Sequence, residues 1–160
     1  EGRERIMSLK DQISSMDMDS IVEMCMHQEQ QAIDLYSLAR DQARDDSSRQ
    51  KFQELVDMET VHKVALKNFE VENYMDLPPA DLKVTDYLME PTLKNNMTTQ
   101  EILILAAKRE DKTARMYQDL ADHFSFDKKL NTFFQMMADE ELRHKHDLET
   151  EYENEFLQEG

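Results

Sequence analysis

The chain is poor in turn formers, with two glycines and three prolines among 160 residues. Sheet-rich folds need many tight turns and draw on both residues, so this scarcity argues against strands and for long helices. Cysteine is nearly missing too, since Cys25 is the single one. One thiol cannot make an intrachain disulfide, a zinc ribbon or a rubredoxin-type four-cysteine iron centre. No apolar run approaches the ~20 residues of a membrane span, and no signal-peptide pattern stands before the first helix. A reduced, cytoplasmic setting is the expectation. Positive charge is also short: 19 Lys and Arg face 35 Asp and Glu, a net charge of −16. A field of that sign repels phosphate backbones and anionic lipid, so neither nucleic acid nor a membrane is an expected partner.

Helix formers fill the long segments that remain: Glu, Lys, Gln, Leu, Met, Ala and Arg. The length suits one domain. Residues 1–18 read as a leader segment, residues 19–156 as an all-α domain and residues 157–160 as a tail. Ser20 and Glu23 have capping-box spacing, which places the first helix from Asp19-Ser20 to about Arg44. A second helix is expected from about Ser48 to Tyr74. Asp76-Leu77-Pro78-Pro79 then breaks the pattern, and the stretch up to Met97 reads as a crossover with one short helix around Val84–Met89. Thr98 and Glu101 cap a third helix that runs to about His123. A fourth starts at Ser125 or Asp127 and extends towards Phe156. Two short connections flank a long one, which predicts an antiparallel four-helix bundle with one long crossover between helices two and three.

Helices two and four repeat each other at an offset of 82 residues (59 to 141). Phe52-Gln53, Asp57, Glu59, His62 and Lys63 match Phe134-Gln135, Asp139, Glu141, His144 and Lys145, and Leu66 then matches Leu148. Helices one and three echo each other more loosely. Glu29 is followed by Ala32 and Tyr36, and Glu110 by Ala114 and Tyr117, with seven residues from Glu to Tyr in both. The chain is a duplicated helical hairpin, and the duplicated residues include those able to bind metal.

Side chains at i±3, i±4 and i±7 share a helix face. Glu29 shares its face with Val22, Cys25, Ala32, Ile33 and Tyr36, and Glu59 with Phe52, Leu55, Val56, His62 and Leu66. Glu110 lies among Leu103, Ala106, Ala107, Ala114 and Tyr117, and Glu141 among Phe134, Met137, Ala138, His144 and Leu148. Each helix thus points one carboxylate inward, and two add an imidazole one turn later. Burying an unpaired carboxylate costs several kcal/mol or forces protonation. Basic partners on these faces are scarce, with Lys145 the main one. Two divalent cations offset four carboxylates, and neutral imidazoles complete the donors. A single Glu-x-x-His is common by chance, but two copies at matched depth with two more inward glutamates are not. The methionines and aromatics read as core filler, His27, His123 and His146 as surface or boundary residues, and Cys25 as a small core residue. Nothing resembles a nucleophile–base triad or a Gly-rich phosphate loop.

With these residues the sequence resembles the rubrerythrin-like branch of the ferritin-like di-iron carboxylate proteins. That group takes a Glu from each of two helices and a Glu-x-x-His from each of the other two. Glu29 and Glu110 match the first pair, Glu59/His62 and Glu141/His144 the second, over about residues 19–156. The resemblance implies metal ligation by all six, with Glu59 and Glu141 bridging and Glu29, His62, Glu110 and His144 terminal. It also implies that the phenols of Tyr36 and Tyr117 hydrogen-bond ligand carboxylates. Rubrerythrin proper has a further glutamate one turn past the third-helix ligand, where this chain has Thr113. It also has a rubredoxin domain, which one cysteine cannot build, so electrons are expected from a separate redox protein.

The implied cofactor is a pair of metal ions: iron first, with Mn or Zn also suited to such donors. The implied activity is oxidoreduction of rubrerythrin type, reducing H2O2 or O2 in protection against oxidative stress. The rival readings are a ferroxidase that handles iron, a manganese-catalase-like enzyme and a non-catalytic metal-binding bundle. A ferritin cage uses a further short helix after the fourth, for which residues 157–160 are expected to leave no room. A homodimer is compatible with all of these readings.

Overall fold

The computed structural model describes residues 17–69, 71–74 and 96–157, and among these there is no strand. Four long helices account for most of them: α1 (Met18–Gln42), α2 (Asp46–Lys67), α3 (Thr99–His123) and α4 (Lys128–Tyr152). A 3-10 turn covers Val71–Tyr74, and α4 runs on into a π-helical turn, Glu153–Leu157. The leader segment up to residue 16 and the short helix expected around Val84–Met89 lie outside the described residues.

Each helix opens on a side chain that accepts from an otherwise unpaired backbone N–H. Asp17 accepts from Ser20 N at 2.8 Å, Asp45 from Ser48 N at 2.7 Å, Thr98 from Glu101 N at 3.1 Å and Asp127 from Leu130 N at 3.0 Å. The expected cap at Thr98 is in place, and of the two starts expected for the fourth helix, Ser125 and Asp127, Asp127 is the cap. The first helix differs, because the Asp17 carboxylate takes the capping role assigned to Ser20 and starts the helix earlier. The second helix ends at Lys67 instead of continuing to Tyr74. Asn68 caps it, with its N–H bonded to Val64 O at 2.9 Å. Phe69 then stacks against Tyr74 and packs on Phe133, with ring centroids 5.2 Å apart in both pairs. That aromatic cluster draws the chain off the helix axis.

Packing fixes the helix directions. Residues 43–45 join α1 to α2 and residues 124–127 join α3 to α4, and both hairpins are closely packed. Across the hairpins, Tyr36 reaches Glu110 while Tyr117 reaches Glu29, so α1 and α3 run antiparallel. His62 meets Glu141 while His144 meets Glu59, so α2 and α4 do as well. The four helices therefore pack as an all-α bundle. Leu66, near the end of α2, lies with Met18 and Phe124 at one end of it, and Met97, just before α3, lies with Phe52 and Leu148 at the other.

The core is accordingly split in two. One cluster gathers Ile21, Cys25, Leu66, Met116, Leu120, Phe124, Leu130, Phe134 and Met137. The other gathers Leu35, Ala39, Phe52, Leu55, Ile102, Leu103 and Leu148. Between them lies a layer of buried Glu and His side chains. No described helix is long and apolar enough to cross a membrane.

Phe134 sits at the centre of the first cluster, stacked on Tyr117 at 6.3 Å and Phe124 at 6.0 Å and edge-on to Phe133 at 5.4 Å. Phe134→Ala should lower unfolding free energy by about 3–5 kcal/mol. Val61 is 66% exposed on the outer face of α2, and Val61→Ala should stay within about 0.5 kcal/mol of wild type. Urea unfolding of both variants, followed by circular dichroism, measures the difference.

Candidate metal centre

All six sequence-predicted donors are buried in the middle layer: Glu29, Glu59, His62, Glu110, Glu141 and His144. The reason is local. On each helix the Glu lies one turn from apolar residues that point into the two core clusters, so rotation of the helix to bury those residues also buries the carboxylate. The donors fall into two groups of four. Glu29, Glu59, His62 and Glu141 place one donor atom each within 4.8 Å of one another, and Glu59, Glu110, Glu141 and His144 do the same. Glu59 and Glu141 stand in both groups.

The imidazoles enter through Nδ1. His62 Nδ1 lies 2.8 Å from Glu141 Oε1 and 3.6 Å from Glu29 Oε1. His144 Nδ1 lies 2.6 Å from Glu59 Oε1 and 3.7 Å from Glu141 Oε2. The two rings stack with centroids 5.6 Å apart. The tyrosines link the hairpins: Tyr117 Oη donates to Glu29 Oε1 at 2.7 Å, and Tyr36 Oη donates to Glu110 Oε1. Each phenol occupies one carboxylate oxygen. The other oxygens, Glu29 Oε2 and Glu110 Oε2, are buried without a hydrogen-bond partner, as is Glu59 Oε2. Buried carboxylate oxygens left unpaired cost free energy that a cation among them would offset. The residues therefore fit a metal ion in each group.

Two residues near this layer escape a reading by repeat and face. His62 Nε2, on the outer edge of the ring, bonds Glu140 Oε2. Glu140 is hidden because its counterpart in the repeat is Met58 (140 less 82), so the match breaks where the carboxylate stands. Its signal is position: one residue before an inward Glu, on the flank turned to the facing helix. Arg109 is the second. It is buried, its Nη2 donates to Gln31 Oε1 at 2.5 Å, and its Nε and Nη1 have no partner. Leu105 four residues before and Met116 seven after mark that flank as packed. Among the described residues Arg109 is the one buried Lys or Arg. Lys145 instead turns outward to Asp111 at 3.1 Å and is one-third exposed.

Family models, curated proteins and solved structures yield no match to this chain.

Without a cation the layer is electrostatically stressed, and the acid groups respond. Burial pushes the Glu59 and Glu141 carboxyls well above their ordinary range, and repulsion from Glu110 and Glu29 adds to it. Burial works on Glu29 in the same sense, but the proximity of Glu59 and His62 and the hydrogen bond from Tyr117 outweigh it and hold Glu29 low. Burial alone would lower His62, yet Glu29 and Glu140 raise it. His144 lacks the Glu140 bond, and burial lowers it. Burial also raises both tyrosines, with Glu110 acting on Tyr36 and Glu29 on Tyr117, so both hydroxyls keep their protons at neutral pH.

These shifts set the pH dependence of the metal-stripped protein. Glu59 and Glu141 hold protons in the folded chain that the unfolded chain loses near their ordinary 4.5, so their contribution declines as pH rises. His62, raised from 6.5, acts in the same sense. His144, lowered from 6.5, acts oppositely, but only up to that pH. From about pH 6.5 to 8 the declining terms remain, so the melting temperature in chelator should fall over that range. Glu141→Gln should flatten the decline. Thermal melts at several pH values check both, and a melting temperature that rises across the window contradicts the assignment.

Proposed function

We propose that this chain is a non-haem di-metal oxidoreductase of rubrerythrin type, built on a ferritin-like bundle with one long crossover. The observation that carries the reading is the pair of four-donor groups sharing Glu59 and Glu141. Two cations, when bound, would both be held by the carboxylates common to the two groups. Glu29 and His62 complete one position, and Glu110 and His144 the other. Four carboxylates balance two divalent ions, and both imidazoles stay neutral as nitrogen donors. Oxygen and imidazole donors suit Fe or Mn and admit Zn. The crossover is supported by the placement of its ends, since α2 finishes at one end of the bundle and α3 begins at the other. A 25-residue helix spans about 37 Å, and the connection must cover that length.

When bound, an iron pair would supply two-electron reduction of an O–O bond. The protein's part is positional. Tyr36 and Tyr117 hold protons on Oη and fix one oxygen of Glu110 and of Glu29, leaving the second oxygen of each for a cation. The apolar clusters on either side keep bulk water from the layer. Reduction of one H2O2 to two waters consumes two electrons and two protons. The electrons would come from a donor outside these 160 residues, since their single buried cysteine cannot build a centre of the rubredoxin kind. Thr113, where rubrerythrin has a glutamate, favours a second reading, iron oxidation and handling. A purely structural metal bundle is the third outcome.

Anaerobic loading of stripped protein should take up two Fe(II) per chain, and H2O2 should then oxidise them quickly at one peroxide per two irons. Rapid-mixing absorbance reads this directly. Oxidation by O2 but not by peroxide, with mineral accumulating, selects iron handling, and inertness to both selects the structural bundle.

A second test addresses the bridge. Glu141→Ala removes a donor from both positions, so with Fe(II) present it should melt below wild type. In chelator the same variant is relieved of an acid that must be repelled or protonated to stay buried, and should melt at a similar or higher temperature. An equal loss in both conditions would mark Glu141 as an ordinary structural residue.

A further inference from the structure

The internal repeat makes the two halves of the site alike in their donors but unlike just outside them. On one side, His62 Nε2 is bonded to Glu140 Oε2. On the other, His144 Nε2 is buried with no hydrogen-bond partner at all. The sequence accounts for the difference, because the helix position that holds Glu140 on α4 holds Met58 on α2. A thioether is a weak acceptor and carries no charge, so it cannot do for His144 what a carboxylate does for His62.

An acceptor at one ring nitrogen has a definite effect on the other. A carboxylate at Nε2 keeps the proton there, which leaves Nδ1 as the lone-pair nitrogen facing the donors, and it raises the electron density of the ring. It also fixes ring orientation. His144 has neither constraint: its Nε2–H must stay buried and unpaired for Nδ1 to face inward, a state that costs free energy whenever Nδ1 is to be a donor.

We propose that Glu140 is a positioning residue that makes the two cation positions unequal, so that the Glu29/His62 position fills first and holds its ion more tightly than the Glu110/His144 position. This rests on the di-metal reading above but goes beyond it, since the six donors by themselves are arranged as equals. Glu140 reaches the donor layer by its hydrogen bond to His62, and its other oxygen lies 3.8 Å from Arg143 at the surface. It touches no donor position directly, and its side chain is 27% exposed at the bundle surface.

The probe is Co(II) alone, titrated anaerobically into stripped protein, with bound metal followed by calorimetry and by the visible d–d absorption that reports the ligand environment. Wild type should bind two equivalents in separate steps, the first tighter by about 10–100-fold, the range typical of losing a partner of a metal-bound histidine. Glu140→Leu should weaken the first step by that factor and merge the two. Met58→Glu, at a position 41% exposed, should instead strengthen the second step towards the first. In a His62→Ala background, Glu140→Leu should change neither affinity nor spectrum, because the residue it positions is gone.

Two equal steps in wild type, or a gap that persists in Glu140→Leu, overturns the proposal while leaving the di-metal reading intact. Fewer than two equivalents bound by wild type overturns that reading, and this proposal with it. Met58→Glu keeps the inference falsifiable should the Glu140 variant fold poorly. An unchanged second step in that variant also counts against it.

Discussion

Four carboxylates held in one buried layer are the constraint around which the rest of this bundle is arranged. Each is costly to bury, and together they repel, so the fold needs a reason to bring Glu29, Glu59, Glu110 and Glu141 to one level. Every neighbouring feature acts to moderate that cost. Two phenols cross between hairpins to donate to Glu110 and Glu29, two imidazoles stand among the acids, and protons shared over Glu59 and Glu141 lower the charge. The core is divided into two apolar clusters because a polar layer runs through its middle. Under the proposed reading these devices are provisional, and the cations do most of the balancing.

Much of this was legible in the sequence, for identifiable reasons. Scarce glycine and proline pointed to helices, and the absence of strands among the described residues agrees. The inward stripes around Glu29, Glu59, Glu110 and Glu141 were readable because 3.6-residue periodicity places a carboxylate among apolar residues without ambiguity. The cap at Thr98 was readable from the residue types that favour caps, and Asp127 was one of two readable starts for the fourth helix. The repeat runs further than its donors suggest, since Asp45 and Asp127 are also 82 residues apart and both begin helices.

What stayed hidden involves contacts between helices that no single helix announces. The start of α1 at Asp17 and the end of α2 at Lys67 depend on competition, in the second case from Phe69 turning towards Phe133. Glu140 reads as one more surface acid until α2 brings His62 against it. Arg109 reads as a solvated base until Gln28 and Gln31 of α1 close over it. Helical periodicity sorts residues into inside and outside. It is weakest at the flanks, where both of these residues lie.

The distribution of donors over the two hairpins has a consequence for the order in which this chain can assemble. Each four-donor group takes three residues from one hairpin and one from the other: Glu141 joins Glu29, Glu59 and His62, while Glu59 joins Glu110, Glu141 and His144. Contacts within a hairpin are short in sequence and close quickly, whereas Tyr36–Glu110 and Tyr117–Glu29 span 74 and 88 residues and close slowly. Neither group exists until the hairpins dock, so the donor set is complete only once that docking has occurred. Any excursion that parts the hairpins dismantles both groups at once. An ion held in either one is thus a clasp on the slowest-forming contacts of the molecule, placed where local helix stability cannot help.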